Sequence, residues 1–239
     1  MDTVKFDSKN VKMVAHRGCS GLEAENTCSA FVAAGNRSYY GIESDVYVTS
    51  DGKYIISHDN NTKRMTGKDY VVEKTDFETL RSLPVLDRDG CFSRGDLKLA
   101  SLEEYILICK KYEKVCVLEL KSTFTKDQLK EIKDIFDRYA YSEKVIFISF
   151  GLQNLVLLKE IDPCVKAQYL TAEFTPELIG TLTKHGLDID IHHSALNSET
   201  VAAFKDAGIR INTWTCDDPR LGEQLADLGV DYITSNILE

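Results

Sequence analysis

Short apolar runs of β-type composition alternate with helix-patterned stretches along almost the whole chain. The strand candidates are KMVA (12–15), GIESDVYV (41–48), YIIS (54–57), VCVLELK (115–121), VIFISF (145–150), VKAQYL (165–170), LDIDIH (187–192), IRINTWT (209–215) and VDYITSN (230–236). Between them, SLEEYILICKKY (101–112) opens on Ser101 with Glu104 three positions later, the spacing of a reciprocal N-terminal cap. TKDQLKEIKDIFDRY (125–139) puts Leu129, Ile132, Ile135 and Phe136 on one face and charges on the other. SETVAAFKDAG (198–208) ends in Gly208, a residue suited to the left-handed turn that closes a helix.

Repeated strand–helix alternation predicts a parallel sheet covered by helices. Nine runs are one too many for an eight-stranded barrel. Only TSDGK separates the second run from the third, and a parallel crossover needs a dozen residues or more, so that pair should form an antiparallel hairpin. Eight parallel strands remain, and 239 residues suit a (β/α)8 TIM barrel. A doubly wound open sheet is the alternative, because strand closure leaves no mark in a sequence. The expected fold class is therefore α/β, a distorted TIM barrel with a short hairpin and excursion after strand 2. No Pro-rich or Gly/Ser-rich linker divides the chain, so residues 1–239 read as one domain. The polar stretch 59–98, the least regular of all, reads as a short insertion over the active-site face.

Composition narrows the partners. Hydrophobic residues at 43% and charged residues at 28% describe a soluble globular chain. A formal net charge of −9 disfavours nucleic acid or an anionic membrane surface, which need basic patches, and it suits a bound cation. The opening MDTVKFDSKN has no apolar core of a secretory signal, and no run approaches the roughly 18 apolar residues of a membrane span. Seven cysteines, an odd number without CxxC or zinc spacing, point to reduced thiols and a cytoplasmic location.

In such barrels functional groups gather at the C-terminal strand ends. His16 and Arg17 follow the first strand; Glu43 and Asp45 lie two apart on the second; His58 ends the hairpin arm. Glu119 and Lys121 end VCVLELK on the face of Val115 and Val117. Each alone could be a solvated or capping residue, but independent solvated residues would not collect on one rim. Three carboxylates without a Cys or His cluster make an oxygen site for one divalent cation, Mg²⁺ or Ca²⁺. Arg17 and Lys121 supply positive charge for a phosphate. The two histidines could serve as general base and general acid. The set reads as phosphodiester cleavage.

The blocks HRG…ENT..AF, GIESDVYVTSDGKYIISHD…RMTG, LELK and INTWT…GVDYITSN resemble the glycerophosphodiester phosphodiesterases from about residue 11 to 236. The resemblance implies a distorted barrel and metal-dependent hydrolysis of glycerophosphodiesters to glycerol 3-phosphate and an alcohol, a step of lipid and glycerol metabolism. It implies His16 and His58 as the acid/base pair in either order, and Glu43, Asp45 and Glu119 as metal ligands. It implies Arg17 and Lys121 on the phosphate, Trp214 beside the glycerol, and Glu25 and Asn26 as supports. Departures are minor: Ala24 stands where the family usually has Pro, and Ala100-Ser101 where it has Pro-Thr, which keeps a hydroxyl cap.

Asp190 and His192 share one face of LDIDIH that could reach the rim, and Phe150 could contact substrate, but strand-end packing is the favoured reading of all three. A phospholipase-D-like or lyase-type enzyme of the same barrel, releasing a cyclic phosphate, is the competing activity. A non-enzymatic phosphoester-binding barrel ranks below both, since it would need neither histidine.

Overall fold

The computed structural model describes residues 2–239. Its strands are β1 (Lys12–Ala15), β2 (Gly41–Val48), β3 (Tyr54–Ile56), β4 (Val115–Leu120), β5 (Val145–Ser149), β6 (Lys166–Thr171), β7 (Asp188–His192), β8 (Ile211–Trp214) and β9 (Tyr232–Ser235). Each coincides with one predicted run to within two residues. Eight of them pair in parallel in the order β1-β2-β4-β5-β6-β7-β8-β9, and β9 returns to β1, so the sheet closes. β3 lies outside the ring, antiparallel to β2 with Tyr47 opposite Ile55, which is the predicted hairpin.

The helices are α1 (Cys28–Gly35), α2 (Lys63–Thr66), α3 (Phe77–Arg81), α4 (Leu102–Lys111), α5 (Lys126–Arg138), α6 (Leu152–Ile161), α7 (Pro176–His185), α8 (Ser198–Asp206) and α9 (Pro219–Leu228). Their ends follow local chemistry. Ser101 and Glu104 form both bonds of the cap on α4, and Thr125 with Gln128 does the same for α5. Beyond α8, Gly208 takes φ +73° and its N–H meets the Lys205 carbonyl at 2.9 Å. The buried face of α5 is Leu129, Ile132, Ile135 and Phe136, as its periodicity requires.

Strand parity sorts side chains between two cores. Val14, Val117, Ile146, Ile148, Leu170 and Tyr232 point into the barrel. Ile42, Leu118, Phe147, Ile189, Ile211 and Ile233 point outward, under the helices. Residues 59–98 carry a smaller cluster of Val72, Leu80, Leu83, Val85 and Leu97, which packs with Leu99 on Tyr47 of β2 and Ile55 of β3. The short helices α2 and α3 within it have no periodic signature because four or five residues cannot show one.

Phe147 on β5 and Phe136 on α5 meet edge to face, ring centroids 5.8 Å apart, and both are fully buried. Phe147→Ala removes a large part of the strand–helix contact. A loss of about 3–5 kcal/mol in unfolding free energy is expected by denaturant titration.

Candidate active site

Inner-face parity, carried to the C-terminal strand ends, builds this site. Glu43 and Asp45 extend the inner face of β2, and Glu119 extends that of β4. The strand register sets Asp45 opposite Glu119. One carboxylate oxygen from each of Glu43, Asp45 and Glu119 lies within 4.8 Å of the others, and all three residues are buried. Burial, then the Asp45 and Glu119 charges, pushes the Glu43 carboxyl well above the usual range. Burial, then Asp45, pushes Glu119 up to about 7. For Asp45 burial also acts upward, but Lys121, His58 and Arg17 outweigh it and hold the group below its ordinary value.

The surrounding donors are arranged on these oxygens. Lys121 Nζ is 2.9 Å from Glu119 Oε1 and 3.5 Å from Asp45 Oδ1. Asn26 Nδ2 donates to Asp45 Oδ2 at 2.8 Å, and Ser44 Oγ donates to Asn26 Oδ1 at 3.0 Å, which orients the amide. The Arg17 backbone N–H donates to Glu43 Oε2 at 2.7 Å. That contact uses a loop whose Arg17 and Asn26 sit at φ +54° and +56°, backbone that non-glycine residues seldom adopt. An all-oxygen, acceptor-rich, mutually repelling set fits a divalent cation such as Mg²⁺ or Ca²⁺, whose charge would offset the repulsion.

A line of alternating charges connects the loop to His58. Arg17 Nη1 reaches Glu25 Oε1 at 2.9 Å, and Arg64 of α2 grips both Glu25 oxygens, at 2.7 and 3.0 Å. Arg64 Nε then donates to Asp59 Oδ2 at 2.6 Å, and Asp59 Oδ1 is 2.8 Å from His58 Nδ1. Despite the upward pull of burial, the hydrogen bonds from Arg64 and His58 hold the Asp59 carboxyl down at about 2. His16 has a different partner: its Nδ1 is 2.7 Å from Asn236 Oδ1. Asn236 Nδ2 donates to Asp217 Oδ2 at 2.6 Å, and Ser20 Oγ donates to Asn236 Oδ1 at 2.7 Å. With the amide oriented that way, the His16 proton resides on Nδ1 and the Nε2 lone pair is free. Burial, then the Arg17 charge, lowers the His16 pKa.

His16, Arg17, Glu43, His58, Glu119 and Trp214 all line one cavity of about 100 Å³. Asp45, Asn26 and Glu25 stand behind that wall. Lys121 borders a neighbouring cleft, with its ammonium on the carboxylates. The strand-end residues Phe150 and Asp190, expected as packing, also line the cavity; Phe150 is half exposed and meets Trp214 edge to face. Sequence reasoning passed over Asp59, Arg64, Asp217 and Asn236. Asp59 and Arg64 fall inside the HD…RMTG block and could have been found from it. The Asp217–Asn236 pair has no local signature, since only the β8–α9 and β9 ends bring it under His16.

The sequence matches the Glycerophosphoryl diester phosphodiesterase family over residues 16–238. It is similar to a glycerophosphodiester phosphodiesterase of Caldanaerobacter subterraneus subsp. tengcongensis, 28% identical over 94% of this chain and 93% of that protein. A lysophospholipase D of Mus musculus is 29% identical over 74% of this chain and 50% of that protein. Among solved structures, a phosphodiesterase of Oleispira antarctica in complex with the product sn-glycerol-3-phosphate has the same fold. Its TM-score is 0.89 at 24% identity, covering 98% of this chain and 96% of that one.

The crowded carboxylates predict a pH-dependent stability difference. The folded chain holds Glu119 at about 7 against an ordinary 4.5, so the two states bind protons equally below pH 4.5 and diverge as pH rises toward 7. In chelator, Glu119→Gln should gain stability relative to the parent chain across that interval and keep a constant lead above it. Denaturant titrations at stepped pH check this; a difference that does not vary with pH contradicts it.

Proposed function

The chain belongs to the Glycerophosphoryl diester phosphodiesterase family and is a phosphoric diester hydrolase, and from that premise we propose that it hydrolyses small glycerophosphodiesters to glycerol 3-phosphate and an alcohol. His16 is the general base and His58 the general acid, Arg17 and Lys121 attract the phosphate, and Trp214 borders the glycerol. Glu43, Asp45 and Glu119 hold one divalent cation, Mg²⁺ or Ca²⁺, while Glu25 and Asn26 support the site. The observation that carries this reading is the convergence of two histidines, an arginine and two of the clustered carboxylates on one cavity.

The two histidines are assigned by their unlike partners. His16 has a neutral amide on Nδ1 and a depressed pKa, so its Nε2 is free to take the proton of the attacking oxygen. His58 has the ionised Asp59 behind it, so a proton carried on its far nitrogen has its charge balanced while it passes to the leaving alcohol oxygen as the P–O bond breaks. Arg17, held by Glu25, offers its guanidinium to the phosphoryl oxygens. When bound, a divalent cation supplies positive charge against the non-bridging phosphoryl oxygens.

The whole chain acts as one catalytic unit, with 59–98 laid over the active-site face; Arg64, from that segment, touches Glu25 and Asp59 and supports the arrangement. Seven unpaired cysteines support a reducing, cytoplasmic setting. Among the described residues no helix is long and apolar enough to cross a membrane. The substrate class assigns the enzyme to lipid and glycerol metabolism.

Glycerophosphocholine should yield glycerol 3-phosphate in the presence of Mg²⁺ or Ca²⁺ and none in chelator. Persistent cyclic phosphate without glycerol 3-phosphate would instead establish the lyase-type reaction. His16→Ala and His58→Ala should each lose at least ~100-fold in kcat, and full activity in either variant overturns the assignment. Because His16 must be neutral to act as base and its pKa is lowered from 6.5, the acid limb of kcat/KM should fall below pH 6.5.

A further inference from the structure

Three buried side-chain polar atoms among the described residues lack a hydrogen-bond partner: Arg17 Nε, Asp190 Oδ1 and Trp214 Nε1. Unpaired buried polar atoms are rare in folded proteins, because each forfeits its hydration. Here all three belong to residues lining the same cavity of about 100 Å³. They come from different strands, Arg17 after β1, Asp190 on β7 and Trp214 on β8. Asp190 is 2% exposed and, among described groups, its environment adds only the charge of Glu119 to its burial. The neighbouring polar side chains Gln168, Asn212 and Thr234 satisfy one another and leave Asp190 out.

The three orphans differ in kind. Arg17 Nε can only donate, as an anionic oxygen requires. Trp214 Nε1 also can only donate, whereas an Asp190 carboxylate oxygen accepts. A group serving both must accept from the indole N–H and also pair with the Asp190 carboxyl, which a hydroxyl does because it can both donate and accept. An ammonium, which cannot accept, leaves the indole N–H unpaired. Ile148 and Leu170 add apolar wall suited to a carbon skeleton.

Resting on the phosphodiesterase reading above, we propose that Asp190 and Trp214 form a hydroxyl-reading subsite. A free hydroxyl of the glycerol unit donates to Asp190 and accepts from the Trp214 N–H, while the attached phosphoryl group meets Arg17 Nε. Asp190 is thus a specificity-determining residue, and it selects phosphoesters of polyols over phosphoesters of simple alkyl alcohols.

The test is calorimetric binding of sn-glycerol 3-phosphate and n-propyl phosphate to the full chain in Mg²⁺, with Asp190→Leu and Asp190→Asn alongside. Wild type should favour glycerol 3-phosphate by at least ~10-fold, and Asp190→Leu should bring the ratio to near one by weakening that ligand alone. Asp190→Leu should melt at or above the wild-type temperature, because an unpaired buried carboxyl has been removed. If Asp190→Leu does not fold, Asp190→Asn decides: a ratio reduced at least ~3-fold supports the subsite and an unchanged ratio overturns it. A wild type that binds both ligands alike, an Asp190→Leu that keeps the preference, or equal weakening of both ligands also overturns it. The underlying reading fails separately, when wild type releases no glycerol 3-phosphate from glycerophosphocholine.

Discussion

Three carboxylates crowded within 4.8 Å in the mouth of the barrel are the constraint to which the neighbouring structure answers. Buried like charges are costly unless compensated, and removing compensation from one partner leaves the others exposed to the full penalty. Each nearby device bears on that cost. Lys121 sits on two of the carboxylates, Asn26 on one, and the backbone of Arg17 on the third. The left-handed backbone at Arg17 and Asn26 is intelligible in the same terms, since it aims donors that a relaxed loop would leave elsewhere. What remains uncompensated, shown by the raised pKa of Glu43 and Glu119, is what a divalent cation would offset.

The compensation extends outward into the insertion. Arg64 joins Glu25, which holds Arg17, to Asp59, which holds His58. Its helix has only four residues and is kept in place by the small apolar cluster that 59–98 shares with β2 and β3. The Arg64 guanidinium therefore couples the insertion to the supports of both Arg17 and His58. On the opposite side the Asn236–Asp217 pair holds His16 without any net positive charge. The two imidazoles thus stand in electrostatically different surroundings although they share one cavity.

Much of this was legible in the chain itself. The β-type runs, the capped helices and the single short hairpin connection contain the eight parallel strands and the extra arm, though not their closure into a barrel, because periodicity and loop length are local properties. Parity of two along GIESDVYV and VCVLELK was enough to bring Glu43, Asp45 and Glu119 to one face. The His58–Asp59 contact joins adjacent residues and was overlooked only because neighbouring polar residues are common at strand ends. Asp190 is ambiguous in sequence for another reason. A polar residue at the end of an inner strand face is packed in one barrel and solvent-lined in the next, and nothing in LDIDIH distinguishes the two.

By itself, then, the sequence determined strand and helix placement, the count of eight parallel strands, and the residue types available at the rim, all through short-range patterns. Tertiary structure alone decided which of those residues meet. Closure of β9 onto β1 brings Asn236 beneath His16, 220 positions away. Folding back of 59–98 brings Arg64 onto Glu25, and the β7–β8 register leaves Asp190 Oδ1 and Trp214 Nε1 without hydrogen-bond partners in one cavity. These are long-range contacts set by how a closed sheet staggers its strands, a geometry that no local pattern encodes.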